Sequence, residues 1–105
     1  MYFVVIGKDH PGGELRKAAR ADHLEFIAGH QRPLVYGGPL IENGAMVGSI
    51  FIFDMPDRAA VEAHCRQDPY FARGIFATID IYESRWMVPE REPGLLAAEA
   101  IKARQ

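Results

Sequence analysis

Hydrophobic and polar positions along this chain switch repeatedly between the strand and helix periods. Tyr2 to Ile6 is a run of aromatic and β-branched residues stopping at Gly7, the pattern of a buried strand. Lys8 to Gly13, with Pro11-Gly12-Gly13, reads as a loop. From Glu14 to about His30 the spacing is helical. At 100° per residue Leu15, Ala19, Phe26 and His30 share one face, and His23 and Ile27 stand at its edge. Gly29 and Pro33 bracket the end of that helix. Leu34-Val35-Tyr36 opens a second strand, which Gly37-Gly38-Pro39 interrupts as a bend or bulge. Asn43-Gly44 is a hairpin signal, because both residues tolerate the positive φ of a tight turn.

The returning strand, Met46 to Phe53, sets Ile50 and Ile52 against Ser49, Phe51 and Phe53. It is apolar on both faces past Ser49, as expected of a strand covered on both sides. Asp57 follows Pro56 as a helix N-cap, and Ala60, Val61, His64 and Cys65 form the inner stripe of a helix reaching about Gln67. Asp68-Pro69 ends it, since proline disfavours helical geometry in the residue before it. Phe76 to Tyr82 alternates as a last strand. The order β-α-β-β-α-β predicts an α+β, ferredoxin-like fold with an antiparallel sheet. Pro89 and Pro93 precede an Ala/Leu-rich helix from Gly94 to Ala103. We therefore expect a domain over residues 1–88 and a helical extension over 89–105, packing on its own sheet or on a partner subunit.

Composition narrows the function. The chain has 105 residues, 49% hydrophobic and 25% charged, the balance of one globular domain. Its formal charge of −2, with no run of Lys or Arg, gives no electrostatic reason to bind nucleic acid or a membrane. Cys65 is the only cysteine, which rules out an intramolecular disulfide and a cysteine zinc site. Met1 leads straight into the first strand with no basic, signal-like segment, so a cytoplasmic protein is expected.

The chemistry concentrates in Arg20-x-x-His23-Leu24 and Asp68-Pro69-Tyr70. Brought together, Asp68 would hold the His23 imidazole in one tautomer and let it move protons near neutral pH. Arg20 would then bind a carboxylate or stabilise an enolate. Each residue also has a structural reading. His23 could tie its helix to a loop carbonyl, Asp68 could cap a turn, and Arg20 could pair with Asp22 or Glu25. Ser49, Gly38 and Tyr70 are the further candidates for contact with a small ligand. No Gly-x-Ser-x-Gly elbow, dinucleotide fingerprint or phosphate loop is present, and the His23 to His30 spacing does not suit a metal pair. No metal or other cofactor is expected.

The chain resembles the YCII-related (YciI-like) family. The likeness lies in Arg20-x-x-His23-Leu24, Gly37-Gly38-Pro39-Leu40, Gly48-Ser49, Asp68-Pro69-Tyr70 followed by Gly74, and Arg85-Trp86. The resemblance implies a dimeric α+β barrel, in which two ferredoxin-like sheets face each other, and a His–Asp active site that maps onto His23 and Asp68. The wider fold group includes muconolactone isomerase-like enzymes and flavin-free oxygenases. The reading is therefore a homodimeric enzyme without a cofactor, performing a lyase, elimination or isomerisation step on a small organic acid or ring-derived metabolite. The competing reading is a non-enzymatic ligand-binding or accessory module, with a structural His–Asp pair.

Overall fold

The computed structural model describes residues 1–105. Four strands, β1 (Tyr2–Asp9), β2 (Leu34–Glu42), β3 (Ala45–Asp54) and β4 (Phe76–Ser84), form one sheet in the order β2-β3-β1-β4. All three pairings are antiparallel. The helices α1 (Glu14–Ala28) and α2 (Arg58–Gln67), with the single turn α3 (Pro69–Ala72), lie between strands as the ferredoxin-like order requires. A terminal helix, α4 (Leu95–Ala103), follows β4.

Local chemistry sets the boundaries. Asn43 and Gly44 both adopt positive φ in the β2–β3 turn, as their residue types allow. The Asp57 side chain accepts the Ala60 N–H at 2.8 Å and starts α2. Gly48 sits in β3 where it passes β1, and a Cβ there would stand 2.3 Å from the Gly7 carbonyl oxygen. No larger residue fits without parting the two central strands.

Three local readings are corrected. Gly37-Gly38-Pro39 does not interrupt β2, which continues through it; Pro39 stands opposite Ser49, and the register shifts fall on either side of the motif. Proline is tolerated because β2 is an edge strand. The helix α1 stops at Ala28, where Gly29 caps it. Its buried residues are Arg16, Ala19 and His23, whereas Leu15 is 51% exposed. A rotation of about 40° relative to the hydrophobic reading thus turns two polar side chains inward.

The core lies on the helical side of the sheet. Phe3, Val5, Phe51 and Phe53 meet Val61 and Cys65 of α2 in one cluster, and Ala19, Tyr70, Ile75 and Phe76 form a second. Burial pushes the Cys65 thiol up to about 12, helped by Asp68 and Glu62, so it is protonated and inert near neutrality. The opposite sheet face carries Val4, Ile6, Ile50 and Ile52, half-buried, and Tyr36 and Tyr82, more than half exposed. Only part of it is covered by its own chain. Trp86 packs on Tyr2, and Arg91 stacks on Trp86 and donates to the Tyr2 hydroxyl at 2.7 Å. Beyond this anchor α4 has no buried residue and is tied back by the Arg85–Glu99 ion pair.

His64 packs against Phe26 and Phe53 with its Nε2 buried and unpartnered. Burial lowers its pKa below 6.5, the neighbouring His30 adds to this, and Asp68 opposes it. The folded state therefore takes up this proton less readily than the unfolded chain. The His64 contribution to stability is present above about pH 6.5 and is lost as the pH falls below it toward the depressed value. We expect His64→Phe to lose less stability than wild type between about pH 7.5 and pH 5. Urea midpoints at the two pH values measure the difference.

Candidate active site

Asp68 stands between α2 and α3 in extended geometry (φ −74°, ψ 127°), which the following proline favours. Its side chain is 2% exposed, and its Oδ1 accepts two hydrogen bonds, from the Tyr70 backbone N–H at 2.9 Å and from His23 Nδ1 at 2.8 Å. A carboxylate can only accept, so His23 Nδ1 carries the proton of this bond and Nε2 is the ring nitrogen not committed to Asp68. The first of those bonds caps α3; the second reaches across 45 residues to α1.

Tyr70 lies flat under the imidazole, with ring centroids 3.6 Å apart and planes at 5°. The edge of Phe51 closes another side at 6.2 Å. His23 is thereby restrained by a hydrogen bond, a stacked ring and an aromatic edge, and side-chain freedom is small. It lines a cleft of about 390 Å³ with Arg16, Arg20, Leu24, Tyr36 and Gly38 among its walls. The cleft opens between α1 and β2, and none of its 13 lining residues is acidic.

Of the candidates, His23, Arg20 and Gly38 line this cleft, and Asp68 sits behind His23. Ser49 and Tyr70 do not line it. Tyr70 is 1% exposed beneath the imidazole, and Ser49, 3% exposed, accepts a bond from Arg16. Arg20 pairs with neither Asp22 nor Glu25; Asp22 is held by Arg73, and Arg20 reaches only the Met46 sulfur at 3.4 Å. It is a free cation at the rim. No group of three metal-ligating side chains occurs.

Two residues of the site escape hydrophobic periodicity. Arg16 is 5% exposed; its Nε and Nη2 hold the Asp9 carboxylate at 2.6 and 2.9 Å, and Nη2 also donates to Ser49 Oγ at 2.9 Å. Burial would lower the Arg16 pKa, but the hydrogen bond and charge of Asp9 outweigh it and raise it. The guanidinium also rests over the Tyr70 ring at 4.7 Å. The i, i+7 spacing of Arg16 and His23 on one helix face was the available signal, since a polar pair two turns apart shares a side.

A four-stranded ferredoxin-like sheet with a histidine-bearing cleft on its helical side defines the class: an α+β domain of the kind found in dimeric α+β barrels. The chain belongs to the YCII-related family, whose model matches residues 1–85. No curated protein matches it in sequence. Among solved structures it is similar to the 5-chloro-2-hydroxyhydroquinone dehydrochlorinase TftG of Burkholderia phenoliruptrix AC1100, in complex with 2,5-dihydroxybenzoquinone. The identity is 28%, over 83% of this chain and 94% of that one, with a TM-score of 0.73. Rv0793 of Mycobacterium tuberculosis shares the fold at 14% identity, over 84% and 99% of the chains, with a TM-score of 0.55. So does SnoaB, a cofactor-independent oxygenase of Streptomyces nogalater, at 19% identity, over 85% and 96%, with a TM-score of 0.50.

The double use of Asp68 separates two substitutions. Asp68→Asn keeps an oxygen for the Tyr70 N–H, whereas Asp68→Ala leaves that buried donor unpaired. We expect the alanine variant to be less stable than the asparagine variant by about 1 kcal/mol. Urea denaturation of the pair measures it.

Proposed function

We propose that this protein is a small-molecule enzyme that needs no cofactor, using His23 as general acid/base and Asp68 to orient it. The single observation that carries this reading is the 2.8 Å His23–Asp68 bond at the wall of an open cleft. It commits Nδ1 to the carboxylate and leaves Nε2 as the nitrogen for a ligand. Arg20, unpaired at the rim, supplies positive charge for a substrate oxyanion. The cleft suits a flat, oxygenated ring or a small organic acid. The dehydrochlorinase likeness supports an elimination on a hydroxylated ring.

Such a step is balanced without an external oxidant. A ring hydroxyl proton shifts to the carbon bearing the leaving group X. Loss of a second hydroxyl proton then expels X with the C–X electron pair and leaves the ring as a quinone. The sum is loss of H⁺ and X⁻. His23 Nε2 takes and returns protons, and Arg20 holds the negative charge that develops on oxygen.

The apolar second face of the sheet supports a homodimer, with a second copy seated on Val4, Ile50 and Ile52. A half-covered apolar face of this kind is what a lasting interface uses. Ile52→Glu is expected to shift the protein toward monomer in sedimentation velocity, with its α1–α2 core and circular dichroism retained.

Turnover decides between enzyme and binding module. With halogenated hydroxyhydroquinones as substrates and halide release as readout, Asp68→Asn is expected to lower kcat by about a hundredfold or more. Ligand affinity should change only a few-fold. Wild-type binding without any turnover of these rings or of unsaturated acids would make the His–Asp pair a structural element of a non-enzymatic module.

A further inference from the structure

Arg16 is the buried charged group that the acid/base reading leaves without a task. It lies on the cleft wall two helical turns before His23, with its side chain 95% withdrawn from solvent by the relative exposure of 5%. A guanidinium has three nitrogens, and two are spoken for: Nε and Nη2 by Asp9, and Nη2 again by Ser49. Nη1 makes no hydrogen bond within the protein; the Tyr70 hydroxyl, buried and likewise without a hydrogen-bond partner, lies near enough to the guanidinium to help Asp9 raise its pKa. Nη1 keeps two N–H donors for whatever enters. Asp9 itself is 7% exposed and holds the fork from behind, so the guanidinium cannot swing as an ordinary surface arginine does.

We propose that Asp9, Arg16 and Ser49 form a prebuilt oxyanion-recognition device, in which Arg16 Nη1 donates to a deprotonated oxygen of the ligand while His23 works on the same molecule. Asp9 and Ser49 are positioning residues acting through Arg16. This deepens the reading of the cleft given above and rests on it. Three features converge. Asp9 answers the Arg16 charge from behind, but Arg20 has no carboxylate partner and no acidic residue lines the cleft, so the cleft keeps positive charge for a ligand to meet. Arg16 and Arg20, one turn apart on α1, present a fixed and a mobile cation to one volume. The hydrogen bonds that hold Arg16 are charge-assisted and short, which sets its geometry before any ligand arrives. The ligand class that fits is a flat ring carrying an ionised hydroxyl, the phenolate or enolate form rather than the neutral one.

Calorimetric titration with 2,5-dihydroxybenzoquinone, whose vinylogous acid groups ionise readily, and with its uncharged 2,5-dimethoxy analogue tests this. Wild type is expected to prefer the ionised ring. Arg16→Met should weaken that ring by about ten- to a hundredfold and leave the dimethoxy ring within about threefold. Ser49→Ala should give a smaller loss in the same direction. Because Arg16→Met strands the Asp9 charge inside the protein, the double substitution Asp9→Asn/Arg16→Gln, which removes the pair together, carries the same comparison where the single variant does not fold. Equal weakening of both rings, or an unchanged preference, overturns the role of Arg16. Wild type binding both rings equally overturns the anion device while leaving a ring-binding site. Binding of neither ring overturns both, and His23→Ala distinguishes a site elsewhere from this one.

Discussion

A buried carboxylate oxygen that serves two donors is the constraint on which this site depends. Taking the Asp68 charge out of water is costly, and the cost is met only where hydrogen bonds surround it. The Tyr70 N–H and the His23 Nδ1–H do so from opposite directions in the chain. Because Pro69 forces extended geometry on Asp68, the same residue ends α2, starts α3 and fixes where the Tyr70 ring lies. The imidazole then has a floor, 3.6 Å away and parallel, before any ligand is present. A local turn and a contact spanning 45 residues are thus one event, and the histidine is oriented as a by-product of folding the turn.

The same logic explains the polar stripe of α1. An amphipathic helix ordinarily turns its leucines inward. Here Arg16, Ala19 and His23 face in, and Leu15 and Leu24 face out or toward the cleft. That arrangement holds because each buried polar group has its own partner supplied by a different element: Asp9 from the end of β1, Ser49 from β3, Asp68 from the α2–α3 junction. A hydrophobic core would pack without such specificity. The helix is registered on the sheet by directional bonds, and the site is the place where they meet.

Much of the fold was legible because period and punctuation agreed. The Asn43-Gly44 turn, the Asp57 cap and the Asp68-Pro69 break each carry their own backbone chemistry, and the structure places an element boundary at each. The β2 interruption was misread because Gly37-Gly38-Pro39 is a breaker in isolation, whereas an edge strand has a side on which a missing N–H costs nothing. The α1 face was misread because the period counts leucines and is silent on arginine. His23 and Asp68 could be picked out as titratable residues in compact motifs, but their separation in space belongs to the tertiary fold. Arg16 was visible only as a neighbour of His23 on the helix. Its partner Asp9 sits in the loop-like end of a strand, where nothing in the sequence distinguishes it from a solvated carboxylate.

The sheet divides its labour by face, and the division follows from strand alternation. In β3, Ser49, Phe51 and Phe53 point to the helices while Ile50 and Ile52 point the other way. The polar network and the cleft can exist only on the first side, where helices bring complementary donors and acceptors. The second side has no helix over its centre; Asp80 stands beside Ile6 on the edge strand, and the aliphatic side chains next to it gain most from meeting a surface like themselves. A self-complementary sheet face would bury that apolar area without touching the chemistry. It would also stiffen β3 from behind, and with it Ser49 and Phe51, which brace Arg16 and His23. Assembly and catalysis would then share one strand while using opposite sides of it. The demand on residues 48–53 is accordingly double: small where β1 passes close, polar at one position, aromatic toward the site and aliphatic away from it.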